Sequence, residues 1–171
     1  MSPPSVDKWI RIRGVTVENR TFHLPPEGMM VVSFPGPPLW KNGNFLNAGK
    51  PTRIKVPAGL SGRYLARATV HWFLLDDGTF SIQARDGSYF FSRLRLNGDT
   101  SHDPREARTT TAPIVQATIT SQSILWETNL TSGNYLELEV KWHAMNQAAR
   151  DAVSGLKLDA WLTLRRLGKP A

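Results

Sequence analysis

The chain contains no cysteine, which excludes disulfides, thiol nucleophiles and cysteine metal centres together. It has no apolar run near the ~20 residues a membrane helix needs. Its first residues, Met1-Ser2-Pro3-Pro4-Ser5-Val6-Asp7, lack the basic start and apolar middle of a secretory signal. Phosphate loops, dinucleotide fingerprints and Gly-x-Ser-x-Gly elbows are missing too. The four histidines, His23, His71, His102 and His143, show neither the H-x-x-x-H nor the H-x-H spacing of a zinc site. These absences predict a soluble protein without disulfides, with no catalytic residues, no metal and no cofactor. Twelve prolines and thirteen glycines in 171 residues fall well short of collagen or low-complexity disorder, so one domain with a real core is expected.

Acidic residues are scarce in one half. Residues 1–70 hold ten Lys/Arg against Asp7, Glu18 and Glu27, whereas residues 71–171 hold eleven of each sign; the net charge is +7. A single-sign half suggests an acidic partner. The bases are spread along the chain and match no named nucleic-acid motif, so direct nucleic-acid binding is not expected.

The dominant period is two. Leu136, Leu138, Val140 and Trp142 alternate with Glu137, Glu139 and Lys141, whose row reads as a solvated face. Leu158, Ala160, Leu162 and Leu164 repeat the pattern, and so do Tyr64, Ala66, Ala68, Val70 and Trp72. Such alternation marks antiparallel strands with one face on a core. Asn42-Gly43, Asp77-Gly78, Asp86-Gly87 and Asn97-Gly98 supply turns between apolar stretches, because glycine after Asn or Asp accepts positive φ. Strands are expected near 8–17, 29–34, 52–57, 62–75, 79–85, 88–96, 113–120, 122–129, 134–143 and 157–167, an all-β sandwich or barrel. The stretch 144–154 carries good helix formers ahead of Gly155 and predicts one short helix. Residues 1–27, with Pro3-Pro4 and Pro25-Pro26, read as an extended N-terminal arm for partner docking, leaving 28–171 as the folded domain.

Four segments in order carry a family resemblance. Val56-Pro57-Ala58-Gly59-Leu60 leads into Gly62-Arg63-Tyr64 and the strand to Trp72. Arg93-Leu94-Arg95-Leu96 ends in Asn97-Gly98. Ser132-Gly133-Asn134-Tyr135 opens the strand to Val140, and Ala160-Trp161-Leu162-Thr163-Leu164-Arg165 closes the chain. This succession resembles the C1q/TNF-like jelly roll over residues 29–168. The resemblance implies an antiparallel jelly-roll sandwich that works as a homotrimer. The same trimer serves bacteriophage as capsid decoration (cement) knobs and fibre heads, which fits a chain without cysteine or signal.

The expected function is therefore structural: a trimeric decoration protein on the phage head, a virion component assembled in the host cytoplasm. An outward Trp on the closing strand makes sense at a subunit contact, so Trp161 and Thr163 are expected at the trimer interface, with Tyr89 and Phe91 of the middle strand. Lys8, Trp9, Ile10, Arg11, Arg13 and Arg20 of the arm are expected to dock on an acidic capsid surface. The alternative is a receptor- or glycan-binding fibre head or C1q-like module, with recognition in the 97–112 loop. Asp76-Asp77 and the polar run Asp99–Glu106 read as turn and loop rather than calcium or acid–base sites. Asn19-Arg20-Thr21 and Asn129-Leu130-Thr131 match the N-glycosylation pattern by chance.

Overall fold

Strand pairing follows the alternation seen in the sequence. A computed structural model describes residues 13–24, 29–47, 49–74, 89–99, 106–110, 119–143 and 156–169. Its strands are β1 (Gly14–Leu24), β2 (Met29–Val31), β3 (Trp40–Asn42), β4 (Ile54–Lys55), β5 (Gly62–Leu74), β6 (Tyr89–Leu96), β7 (Glu106–Thr110), β8 (Ile119–Leu130), β9 (Tyr135–His143) and β10 (Leu156–Gly168). The first sheet runs β3-β1-β10-β5-β8; the second runs β2-β9-β6-β7, with β4 also on β9. All pairings are antiparallel. The expected two-sheet sandwich is thus the fold. Among the described residues there is no helix. The helix expected at 144–154 and the strand expected at 79–85 lie outside them.

The inward rows of both sheets make one core. Val15, Val17, Tyr64, Ala66, Ala68, Val70, Trp72, Leu158, Ala160, Leu162 and Leu164 come from the first sheet, and Phe90, Leu94, Leu136, Leu138, Val140 and Trp142 from the second. Trp72 stacks on Phe90 across the sheets, centroids 4.9 Å apart and planes 20° apart. Two turns behave as their sequences require. Asn97 and Gly98 both take positive φ, 55° and 75°, and the Asn97 side chain accepts the Tyr135 N–H at 3.0 Å. Gly43 sits at φ 119°, where an added Cβ would also press on the Phe45 ring.

Three expectations are corrected. The arm does not extend to residue 27: Gly14–Leu24 lies inside the first sheet, paired to β3 on one side and β10 on the other. The reason is in its own alternation, since Val15 and Val17 are 0% and 1% exposed in the core. Residues 97–112 are not all loop, because Glu106–Thr110 pairs with β6 at the edge of the second sheet. Finally, Glu137 and Glu139 do not form a solvated row. Both are buried and are held by arginines, Glu139 by Arg93 and by Arg95 (3.0 Å), Glu137 by Arg53 (2.8 Å). A buried carboxylate is tolerated only with such partners.

Candidate interaction face

β10 places its odd-numbered residues on the outward face of the first sheet, opposite the core row. Register then decides who stands beside them. Across one rung lie Trp40, Thr16, Thr163, Arg67 and Leu125; across the next, Glu18, Trp161, Thr69 and Ser123; across the third, Asp159, His71 and Ser121. Thr16, Arg67, Thr69, His71, Trp161 and Thr163 line a shallow cavity of about 280 Å³.

Trp161 forms one wall of this cavity, and its orientation is fixed. Its indole N–H donates to Glu18 Oε2 at 3.2 Å, and its ring meets the His71 imidazole edge-on at 4.8 Å. Glu18 also accepts from the Arg20 guanidinium at 2.9 Å, a bond that raises the Arg20 pKa further above its ordinary value. The Thr16 and Thr163 hydroxyls are hydrogen-bonded at 3.1 Å. Asp159 Oδ1 is buried without a hydrogen-bond partner. At the two edges of the face stand exposed apolar side chains, Trp40 on β3 (41% exposed) and Leu125 on β8 (68%).

The sequence-derived residues divide among several places. Trp161 and Thr163 lie together on this face. Tyr89 and Phe91 belong to β6 in the other sheet. Phe91 is 5% exposed within one chain, with the Arg93 guanidinium 5.6 Å from its ring centroid. Lys8, Trp9, Ile10 and Arg11 lie outside the described residues. Arg13 is exposed and donates to Asn42 Oδ1 at 2.7 Å, while Arg20 is engaged by Glu18. Sequence reasoning passed over Thr16, Glu18, Trp40, Arg67, Thr69, His71 and Leu125. Alternation makes most of these outward-facing, but only the strand order brings them next to Trp161.

Among the described residues, no group of three His, Asp or Glu side chains is placed to hold a metal ion. His71 is the histidine whose surroundings are defined, and it packs on Trp161 rather than on a nucleophile.

No protein-family model matches the sequence, and no curated protein matches it in sequence. Solved structures share its fold. Murine APRIL, crystallised at pH 5.0, superposes with a TM-score of 0.50 at 13% identity, covering 91% of this chain and 100% of that one. The globular domain of zebrafish complement 1qA protein superposes with a TM-score of 0.54 at 11% identity, covering 92% and 98%. The chain therefore has a C1q/TNF-like jelly-roll fold.

Proposed function

We propose that this protein is a non-enzymatic, homotrimeric knob whose subunits meet through the outward face of the first sheet. The observation that carries the reading is the pairing of a hole with a protrusion on different parts of one surface. The Trp161-walled cavity is the hole, and Leu125, on an edge strand, is the protrusion. A contact between unlike patches is heterologous, and it closes into a ring when the rotation permits. The C1q/TNF-like resemblance implies a ring of three. Burying one leucine contributes about 2 kcal/mol, and an aromatic anchor at the centre of an interface contributes about 2 kcal/mol or more.

Sedimentation equilibrium tests this. The intact chain sediments as a trimer, and Leu125→Glu and Trp161→Ala sediment as folded monomers, with folding checked by circular dichroism. A monomeric intact chain, or variants that remain trimers, overturns the proposal.

The trimer's task, on this reading, is decoration of an acidic capsid surface. The first sheet supports a docking corner: Arg13, Lys41 and Arg165 are all exposed and occupy neighbouring register positions around Gly14. In the sequence, Arg13 directly follows residues 1–12, with Lys8, Trp9, Ile10 and Arg11. Arg20, 67% exposed and paired with Glu18, stands apart from this corner.

A further inference from the structure

The segment 44–47 stands between two clefts, neither of which shares a lining residue with the Trp161 cavity. On one side a cleft of about 720 Å³ is lined by Lys55, Pro57, Ser132 and Gly133; on the other a cleft of about 390 Å³ is lined by Phe34, Pro35, Pro51 and Arg53. Asn44, Leu46 and Asn47 line both. Each volume lies in the range of small-ligand sites.

We propose that these two clefts together bind an acidic saccharide, a sugar chain bearing carboxylates. Three features converge on that chemistry. First, among the described residues no carboxylate lines either cleft, while Lys55 and Arg53 do. Arg53 is neutralised by Glu137 at 2.8 Å and lies over the Tyr135 ring at 4.0 Å, so the Lys55 ammonium is the uncompensated charge. It is exposed and makes no ion pair with any described residue. Second, the Asn44 amide makes no hydrogen bond to a described residue, and Asn47 uses only its oxygen, accepting the Gly49 N–H at 3.1 Å. Free amides beside a cation suit hydroxyls flanking a carboxylate. Third, Pro35, Pro51, Pro57 and Leu46 offer rigid apolar faces of the kind that sugar C–H surfaces cover.

The backbone argues against the competing ligand, an extended acidic peptide. Peptides of that kind add as a strand to free main-chain groups, and here four main-chain donors beside the clefts are already used. Lys55 N–H donates to Phe45 O (2.8 Å), Val56 N–H to Asn134 O (2.8 Å), Gly133 N–H to Val56 O (2.9 Å) and Phe34 N–H to Pro51 O (2.9 Å). Recognition therefore falls to side chains. The walls are also fixed in place, since Ser132 Oγ donates to Pro57 O at 2.7 Å. The site does not depend on trimer formation.

The test is titration of the isotope-labelled full chain with trigalacturonate, read by amide chemical shifts. Maltotriose serves as the neutral counterpart and hexaglutamate as the acidic peptide. Trigalacturonate shifts residues 44–47, 53–58 and 131–134, and maltotriose binds at least about tenfold more weakly. Asn44→Ala, which removes the amide, and Lys55→Gln, which removes the charge, each lose about tenfold in affinity. Dispersed spectra establish that both variants are folded. Three results overturn the proposal: absent or scattered shifts, variants that bind like the parent, or hexaglutamate binding as tightly as trigalacturonate.

Discussion

Gln122 is the polar pin between the sheets, and its removal has a calculable cost. It lies on β8 in the first sheet and is 3% exposed. Its Oε1 accepts from Trp72 Nε1 at 3.0 Å and from Ser92 Oγ at 2.9 Å, and its Nε2 donates to Phe90 O at 3.0 Å. Ser92 and Phe90 belong to β6, so two of the three bonds cross the sandwich. Gln122→Leu keeps the volume and removes all three. The Trp72 N–H and the Ser92 hydroxyl are then stranded at 1% and 0% residue exposure, and each unsatisfied group costs roughly 1–3 kcal/mol. The Phe90 carbonyl adds less, because a carbonyl oxygen has a second lone pair. Set against the added apolar surface, the net loss is about 3 kcal/mol. For a chain of this size that lowers the melting temperature by about 6–12 °C. Thermal unfolding followed by circular dichroism, at matched protein concentration because association shifts the transition, measures it. A double-mutant cycle sharpens the result. Ser92→Ala costs about 1 kcal/mol in the parent but regains stability in Gln122→Leu, since it removes a stranded hydroxyl. A shift under ~2 °C for Gln122→Leu, or the same cost for Ser92→Ala in both backgrounds, refutes the reasoning.

Two further outcomes follow from other parts of the molecule. Arg13→Glu with Arg165→Glu leaves the knob folded but abolishes its attachment to capsids bearing an acidic surface; full occupancy on such particles, seen by electron microscopy, overturns the docking corner. Tyr64 is buried, and its hydroxyl donates to Leu60 O. Desolvation raises its pKa, with the Arg166 charge pulling the other way. The neutral phenol is thus favoured by folding. Its contribution is fully present below the ordinary tyrosine pKa of about 10 and is lost as pH rises through the higher folded value. Urea midpoints of the parent and Tyr64→Phe therefore converge above that pH; a constant gap up to pH ~11 contradicts the assignment.

Most of the fold was legible because period-two alternation is a local property. Leu158, Ala160, Leu162 and Leu164 declare their face within eight residues, and the same reading places Trp161 and Thr163 outward. Asn97-Gly98 likewise declares its turn through backbone sterics alone. What failed was non-local. β1 has the same alternation at Val15 and Val17, yet the neighbouring prolines at Pro3-Pro4 and Pro25-Pro26 suggested an unattached arm. Its place is set by β10, which lies some 140 residues away in sequence and pairs Val15 with Leu164 and Val17 with Leu162. Glu137 and Glu139 show the converse. Their alternation with leucines is that of a wet face, and only the arrival of Arg53, Arg93 and Arg95 from distant strands makes a dry one possible.

The candidate face follows the same logic. Arg67, Thr69 and His71 are ordinary outward positions on β5, and Thr16 and Glu18 are ordinary positions on β1. They become a cavity because β10 lies between β1 and β5 and carries Trp161 into their midst. Trp161 is held from both sides, by the Glu18 carboxylate and by the His71 ring, so its exposed surface is presented without loss of side-chain freedom on association. Preorganisation of this kind lowers the cost of binding. On the proposed reading, this is what makes Trp161 the anchor of the face.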